Sequence, residues 1–273
     1  MRILITNDDG IDSPGIHALA EMLVSEHAVV VVAPSGNRSG VSHAITADEA
    51  ITMERLGAAP VPSYSCSGTP ADCVFLGSTE LRSRPQLVLS GINHGPNLAD
   101  DVYYSGTVAG AVEAALLGIP ALAVSLACDH SDPLGRRFWE SAAEVTRDCI
   151  QAIFESAPDA TCYWNLNVPN RPLDRIEGIA VTRLGRKRIC GRMVGEERDG
   201  ATQYYRAWES PFATNRDTLG TDIGAVHAGY ASLTPLSLDR TAPVAPSLDG
   251  LRLGSFRPAN SAIAPSRRIR LSN

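Results

Sequence analysis

The fold class predicted from the sequence is α/β, with a mostly parallel sheet covered by helices on both faces. Short, continuous apolar runs alternate along the chain with segments of helical periodicity. These runs lack the polar alternation of half-exposed strands, which is typical of parallel strands buried on both faces. Polar, glycine-bearing loops follow three of the runs, and ligands of open α/β sheets bind at the carboxyl ends of strands.

Composition narrows the class of protein further. The chain has 273 residues, 44% of them hydrophobic, and a net charge of −6, which argues against a nucleic-acid binder that coats phosphates. None of the six cysteines has zinc-ligand spacing, so we expect reduced thiols. No apolar run approaches the roughly 18 residues of a membrane span. A cytoplasmic protein without membrane or nucleic-acid partners is expected.

The first unit is a strand, an acidic loop and a helix. Ile3 to Ile5 form a buried strand, Asp8 and Asp9 follow it, and Ser13 with Pro14 supplies an N-cap and first turn. Adjacent carboxylates repel unless a cation or a shared proton compensates them, and a hard divalent ion is the simplest partner. The alternative is that this pair only caps or turns the chain.

A second polar loop follows the second strand. The run Ala28–Ala33 completes a βαβ unit, and Pro34–His43 then contains almost no apolar residues. Ser39 in this loop can place a hydroxyl beside the aspartates, and His43 is a possible further site residue. An ordinary Gly-Ser loop is the alternative.

The next elements lead to the third loop. Strands are expected over Ala44–Leu56 and Ser63–Ser67, and a helix begins with Thr69 as N-cap. Gln86–Ser90 is another short buried strand. It runs into the glycine-bearing polar loop Gly91–Asn97.

Two residues of this third loop carry candidate chemistry. Asn93 can offer an amide oxygen to a hard cation. His94 is open to two interpretations, a possible site residue or an exposed loop imidazole.

A small-residue helix start follows the third loop. Ser105, Gly106 and Thr107 open the helix Val108–Leu117, and free amides at such a start suit a phosphate. Asn97 lies close by in the preceding loop and is a candidate for the same contact. The alternative is an ordinary Ser/Thr cap.

The α/β run ends near residue 170. A strand over Ala121–Ser125, a long helix from Asp132-Pro133 and a strand over Tyr163–Val168 complete it. We therefore predict a domain over residues 1–236, with a core over 1–170 and a β-rich extension over 171–236. Residues 237–273 are predicted to be an extended tail rich in Pro, Ser and Arg.

The extension has two recognisable parts. An arginine-rich segment, Arg183–Arg192, and an aromatic patch at Tyr204, Tyr205 and Trp208 suggest a hairpin, which packs either on another subunit or on its own domain. Gly229–Leu236 is the last predicted strand.

Together, the three loops supply four oxygen donors, with no cysteine or convincing set of histidines among them. Asp8, Asp9, Ser39 and Asn93 point to one divalent cation, Mg²⁺ or Mn²⁺, rather than zinc. With the phosphate-suited helix start, this set predicts metal-assisted hydrolysis of a phosphomonoester by an activated water.

The motifs resemble those of the SurE survival-protein family of 5′-nucleotidases. The resemblance is strong from Met1 to about Pro169 and weak through Gly229–Pro235. It is carried by six strings in order: Ile5–Gly10, Ala33–Ser39, Ser67–Cys73, Ser90–Asn97, Ser105–Gly110 and Asn165–Pro169.

The resemblance implies a Rossmann-like domain with a divalent metal held at the positions of Asp8, Asp9, Ser39 and Asn93, the two aspartates being catalytic. It also implies hydrolysis of nucleoside 5′-monophosphates, with 3′-monophosphates and short polyphosphate as further substrates. Homodimers or homotetramers, assembled partly through C-terminal hairpins and arms, are expected.

Two other functions remain to be weighed. One is a phosphatase of another small phosphoester. The other is a phosphorelay receiver, which also carries an aspartate pair and Mg²⁺. A receiver needs an acceptor aspartate after the middle strand and a later lysine, whereas Gln86–Asn97 contains no aspartate and Lys187 lies outside the α/β run.

Overall fold

The computed structural model describes residues 1–57, 61–128, 135–155, 162–186, 191–198, 201–208 and 220–241. Strands and helices alternate over most of residues 1–169, as the sequence predicts, and strands predominate after them. The strands are β1 Arg2–Thr6, β2 Ala28–Pro34, β3 Met53–Leu56, β4 Ser63–Cys66, β5 Leu87–His94, β6 Ala121–Ala127, β7 Cys162–Pro169, β8 Ile179–Val181, β9 Gly191–Arg198, β10 Ala201–Trp208 and β11 Ala231–Ser237.

The main sheet places the first strand near its centre. Its order is β3-β4-β2-β1-β5-β6-β7-β11-β8 over the described chain. The strands from β4 through β7 in this order are parallel. The edge strand β3 and the inserted strand β11 add antiparallel pairs with β4 and β7. The sheet is thus mostly parallel, as predicted.

Helices cover both faces of this sheet. They are α1 Pro14–Leu23, α2 Pro70–Thr79, α3 Gly106–Leu116, α4 Trp139–Glu155 and α5 Asp222–His227, with short 3₁₀ helices at Ala99–Tyr103 and Leu173–Arg175. Ile3 and Ile5 pack in one apolar cluster with residues of α1 and α4. Leu4, between them, packs in a second cluster with residues of α2 and α3. Successive side chains of β1 therefore point to opposite faces of the sheet, and both faces are buried.

The strand predicted to end at Ser90 continues to His94. Asn93 pairs with Ser125 and His94 with Leu126 on β6, after a register shift that follows Ser90. Gly91 has a φ of +142°, and Ile92 is fully buried. The polar, glycine-bearing composition indicated a loop, but the neighbouring strand holds these residues in the sheet.

The strand predicted over Ala44–Leu56 is mostly wrong. Only Met53–Leu56 forms a strand, because earlier backbone groups bond to side chains. The Thr46 N–H donates to the Asp72 carboxylate, and Thr69 Oγ1 donates to the Ala44 carbonyl. Residues 132–133, where the long helix was predicted to start, lie outside the described residues, but residues 135–138 are not helical and α4 begins at Trp139, so the predicted start is too early.

The C-terminal part contains the expected hairpin. β9 and β10 pair antiparallel as a separate two-stranded sheet. One compact unit spans Met1–Leu238, and the remaining residues form a second, described only as far as residue 241. The predicted tail from residue 242 onward lies outside the described residues.

Two expectations from composition can be compared with the described residues. Five cysteines there are free thiols, while Cys190 lies outside them. Among the helices described, none combines the length and the apolar character that crossing a membrane requires.

Candidate metal and phosphate site

The sheet order brings the three predicted loops together at the carboxyl ends of three neighbouring strands. β1 lies between β2 and β5, so the residues after β1, after β2 and at the end of β5 are neighbours. Asp8 and Asp9 follow β1, Ser39 follows β2, and Asn93 lies at the end of β5. The start of α3 reaches the same strand ends through a contact with Asp8.

Asp8 is a buried carboxylate supported by α3. It is 3% exposed, and Thr107 Oγ1 donates a hydrogen bond to Asp8 Oδ1. A Cβ atom at Gly106 would lie 2.8 Å from both Cβ and Oδ2 of Asp8, so only glycine fits there. Burial, helped by the charge of Asp9, raises the pKa of Asp8 to about 6 despite the Thr107 hydrogen bond, which lowers it. A cation beside this carboxylate would compensate its cost of burial.

Asp9 is held from the opposite side. Its Oδ2 accepts a 2.9 Å hydrogen bond from the backbone N–H of His94. Asp8 and Asp9 are therefore anchored by different elements, α3 and β5. Each carboxylate is thus fixed in position by its own partner.

The acidic loop owes its shape to Asn7, which sequence reasoning missed. Asn7 is fully buried, and its Nδ2 donates to the Gly10 carbonyl at 2.9 Å and to Ser13 Oγ at 2.6 Å. Gly10 has a φ of +105° and in turn donates its N–H to Asn7 Oδ1. Ser13 occupies the predicted N-cap position, but its hydroxyl bonds Asn7 instead of capping α1.

Ser39 is exposed and is held near the aspartates through its neighbour. The Arg38 N–H donates to the Asp8 carbonyl at 2.7 Å, and Arg38 Nη2 donates to the Ser67 carbonyl. The Ser39 N–H donates to Asn37 Oδ1. The loop is thus tied to the acidic loop one residue before the predicted ligand.

Asn93, near the end of β5, is fixed by the residue that follows this strand. Its Nδ2 donates to the Gly95 carbonyl at 2.9 Å. The side-chain oxygen Oδ1 takes no part in this hydrogen bond. An amide oxygen is the donor that a hard cation takes from asparagine.

Asn97 is anchored inward by a polar network. Its carbonyl accepts from Asn165 and Asn167, its N–H donates to Asn167 Oδ1, and its Nδ2 donates to Ser125 Oγ. Asn97 is 7% exposed. The network explains the paired asparagines of β7, whose role the sequence pattern does not reveal because their partner is far away in the chain.

Ser105 and Thr107 both make local bonds at the start of α3. Ser105 is the N-cap, and its Oγ accepts from the Val108 N–H at 3.0 Å. The hydroxyl of Thr107 contacts Asp8, as described above. The amides of Gly106 and Thr107 lie in the first turn, where N–H groups lack intrahelical acceptors. The Thr107 N–H is also bonded to the Asp8 carboxylate, so an anion bound at this helix start would share it with that carboxylate.

The two predicted histidines lie in different surroundings. His43 Nε2 is 2.9 Å from Glu113 Oε2 on α3. His94 Nε2 accepts a 2.9 Å hydrogen bond from Arg137 Nε, and its ring lies 5.9 Å from that of Trp139. Arg137 was not singled out from the sequence, because nothing in its local pattern distinguishes it from a surface arginine.

The residues present fit a hard cation. Two carboxylates, a hydroxyl and an amide oxygen are oxygen donors of the kind that Mg²⁺ and Mn²⁺ prefer. Over the described part of the chain, no group of three or more His, Cys, Asp or Glu residues could hold a metal ion. A zinc-type site is therefore not found there.

Comparisons with known proteins identify relatives of this chain. The sequence profile of the family described as survival protein SurE matches residues 3–190. A protein of Aeromonas hydrophila named 5′-nucleotidase SurE is 42% identical over 247 residues, covering 89% of this chain and 94% of that protein. One of Klebsiella pneumoniae named 5′/3′-nucleotidase SurE is 43% identical over 244 residues, covering 89% and 92%.

A solved structure extends the likeness to the fold. The crystal structure of SurE protein from Aquifex aeolicus superposes with a TM-score of 0.74 at 41% sequence identity, covering 88% of this chain and 95% of that one. Because the family profile matches more than half of the residues of this chain, the chain belongs to the SurE survival-protein family.

Proposed function

We propose that the chain is a divalent-metal-dependent nucleotidase that hydrolyses nucleoside 5′-monophosphates, and 3′-monophosphates as well, to nucleoside and phosphate. The observation that carries the proposal is the contact of Thr107 with Asp8, since it places a buried carboxylate against a helix start suited to phosphate. The names of the relatives from Aeromonas and Klebsiella support the nucleotide as substrate.

The cation would be held by Asp8, Asp9, Ser39 and Asn93. When bound, Mg²⁺ or Mn²⁺ neutralises phosphate oxygens and acidifies an attacking water. Asp8 and Asp9 supply the negative charge that attracts it. Their anchors on α3 and β5 keep both carboxylates in place before a ligand arrives.

The phosphate would be received by the first turn of α3. The Gly106 amide and the helix dipole favour an anion at this position, and the cation would offset the charge of the Asp8 carboxylate, which already accepts from the Thr107 N–H. Asn97 and Ser105 complete the proposed cradle, with their side chains already engaged by Ser125 and Val108. Both therefore act mainly by shaping the backbone around the phosphate.

Chelation and metal replacement test the reaction class. Exhaustive chelation is expected to abolish phosphatase activity, and Mn²⁺ or Mg²⁺ to restore it. Adding Ca²⁺ to the chelated protein is a control, because its larger size and looser geometry differ from those of Mg²⁺. Full activity in the chelated protein would overturn the proposal.

A substrate panel tests the leaving group. It compares 5′-AMP, 5′-GMP, 3′-AMP, short polyphosphate, ribose 5-phosphate and p-nitrophenyl phosphate. Nucleoside monophosphates are expected to have the highest kcat/KM. If a sugar phosphate exceeds every nucleotide by more than about tenfold, roughly 1.4 kcal/mol of transition-state preference, the chain is a phosphatase of another small phosphoester.

The proposed assembly is a homodimer or homotetramer. Its support is the family likeness together with Met193, Tyr204 and Tyr205 on the hairpin, all of which are exposed apolar side chains. Light scattering after size exclusion measures the mass directly, and a monomer at micromolar concentration would contradict the assembly.

The proposed location is the cytoplasm, which suits the free thiols.

A further inference from the structure

The segment Ser42–Thr46, called the strap below, continues the loop that carries Ser39. Its first residue is fixed to the backbone just before α3. The Ser42 N–H donates to the Tyr104 carbonyl at 3.1 Å, and Ser42 Oγ donates to the Tyr103 carbonyl at 2.7 Å. Ser42 has a φ of +57°, a conformation that a serine keeps only when its surroundings hold it.

The next residue of the strap reaches α3 itself. His43 Nε2 lies 2.9 Å from Glu113 Oε2, so the imidazole donates to the carboxylate. The side chain of Glu113 is only 14% exposed and that of His43 is 29% exposed. A partly buried pair is screened less by solvent than a surface ion pair.

The far end of the strap is fixed to α2. The N–H and hydroxyl of Thr46 both donate to the Asp72 carboxylate, and Thr69 Oγ1 donates to the Ala44 carbonyl. The strap is therefore bonded at successive points to the segment before α3, to α3 and to α2.

Ser39 lies between the strap and the acidic loop. On one side the Arg38 N–H donates to the Asp8 carbonyl, and on the other Ser42 is bonded before α3. The three Cα-to-Cα steps from Ser39 to Ser42 span at most about 10 Å, so these two anchors limit where Ser39 can lie. Gly40, with a φ of +76°, turns the chain between them.

Helix α3 thus contacts both Asp8 and the strap that follows Ser39, so it is connected to two proposed metal ligands. Thr107 in the first turn of α3 bonds Asp8, and Glu113 two turns later bonds the strap that follows Ser39. Movement of the strap relative to α3 would release one of the two anchors that limit the position of Ser39 relative to Asp8.

We propose that His43 and Glu113 are a positioning pair, which sets the distance of Ser39 from Asp8 by fixing the strap to α3. The pair acts through Ser39 and touches neither substrate nor cation. This inference rests on the proposed function only where Ser39 is taken as a ligand. The fixing of the strap can be measured without any metal.

The first measurement is hydrogen exchange of the metal-free protein. In Glu113→Ala and His43→Ala, peptides covering residues 39–43 are expected to exchange about three- to tenfold faster, the scale of one lost hydrogen bond. Glu113→Gln keeps an oxygen that accepts from His43 and is expected to stay within about twofold of the wild type. Glu144→Ala, which breaks the pair with Arg147 on α4, is the matched control and should leave these peptides unchanged.

The second measurement is Mn²⁺ affinity by calorimetry. Glu113→Ala and His43→Ala are expected to weaken binding by about three- to tenfold, and the double variant no more than either single one, because both remove the same contact. Glu113→Gln should bind like the wild type. A general loss of fold would lower the Tm of all these variants together and would not spare Glu113→Gln.

Unchanged exchange in both alanine variants would overturn the inference, as would equal loss of Mn²⁺ affinity in Glu113→Gln and Glu113→Ala. If Glu113→Ala fails to fold, His43→Ala decides alone, since it removes a loop side chain. A wild-type protein that binds no Mn²⁺ refutes the proposed metal chemistry, whereas the exchange data still decide whether the pair holds the strap.

Discussion

At the scale of single residues, the hydroxyl of Thr107 has one measurable role. We predict that Thr107→Val weakens Mn²⁺ binding by up to about tenfold, because Asp8 loses a hydrogen bond that favours its charged form. Only part of the roughly 1.5–3 kcal/mol of this bond appears in the affinity, since the bond is also made in the metal-free protein. Thr107→Ser keeps the hydroxyl and is expected to bind Mn²⁺ nearly as well as the wild type. Calorimetry on the metal-free proteins makes the comparison.

The same variant separates two roles for Thr107. The sequence favours a phosphate contact, for which Thr107→Val would raise KM and leave Mn²⁺ affinity unchanged. The structure points its hydroxyl at Asp8. Unchanged Mn²⁺ affinity with a raised KM would show that the hydroxyl serves the phosphate instead.

The candidate ligands could be predicted because their signal is local. Asp8, Asp9 and Asn93 are polar residues beside apolar strands, and parallel strands align such residues at one edge. Their supports could not be predicted in this way. The bond of Asp8 to Thr107 joins residues 99 positions apart, and that of Asp9 to His94 joins residues 85 apart.

At the scale of elements, α1 depends on a close approach at Gly15. A Cβ atom there would lie 2.1 Å from the Ile92 carbonyl oxygen and 3.0 Å from the Trp139 ring. We predict that Gly15→Ala lowers the free energy of unfolding by about 1–3 kcal/mol through overpacking. Gly57→Ala is the control, because a Cβ there meets nothing within 4 Å. Urea unfolding measures both, and equal stability of the two variants would refute the packing argument.

The N-terminus of α2 has a capping box that responds to pH. Thr69 Oγ1 accepts from the Asp72 N–H, and the Asp72 carboxylate accepts from the Thr69 N–H and from Thr46. Burial pushes the pKa of Asp72 upward, but the hydrogen bonds from Thr46 and Thr69 outweigh it and hold the pKa below its ordinary value of 3.8.

The consequence is a stability difference that depends on pH. A lowered pKa contributes stability above pH 3.8, and this contribution is lost as the pH falls through the pKa of the folded state. We predict that Asp72→Asn costs about 1 kcal/mol at pH 7 and that its difference from the wild type shrinks below about pH 4. Urea unfolding at several pH values measures it, and a difference that stays constant down to pH 3 would contradict the prediction.

Most elements could be predicted because apolar runs and helix caps are signals contained within the few residues of each element. Ile3–Ile5 became β1, and the Thr69 cap became the start of α2. The failures lie where backbone groups find partners far away in sequence. Gly91–His94 joins β5 because β6 accepts it, and Ala44–Thr46 is no strand because α2 satisfies its backbone.

At the scale of the whole molecule, Asp222 joins segments that are distant in the chain. Fully buried, it accepts from the N–H groups of Ala99, Gly185 and Ile223. We predict that Asp222→Ala costs at least about 2–4 kcal/mol in unfolding free energy, because each buried N–H left without an acceptor costs about 1–3 kcal/mol. Asp148→Ala, at an exposed site on α4, is expected to cost no more than about 0.5 kcal/mol.

The same variant tests how far this connection reaches. Asp222→Ala should also speed hydrogen exchange around Ala99, which follows the Asn97 network directly. Asp222→Asn keeps the shape of the side chain but turns one acceptor into a donor, so an intermediate loss is expected. A loss of stability in Asp222→Ala below about 1 kcal/mol would show that these hydrogen bonds are replaced by water.

The position of β11 in the main sheet has a consequence for biosynthesis. β11 lies between β7 and β8, although both are made before it. While the ribosome is still adding the hairpin, β7 therefore has an open edge whose N–H and C=O groups can pair with any other extended chain. A messenger RNA truncated between the codons of β8 and β11 would yield polypeptides that carry every proposed metal ligand. In these polypeptides the edge of β7 would still be unpaired. Such products are expected to aggregate or be degraded, so even late truncations of this gene should behave as complete losses of the protein.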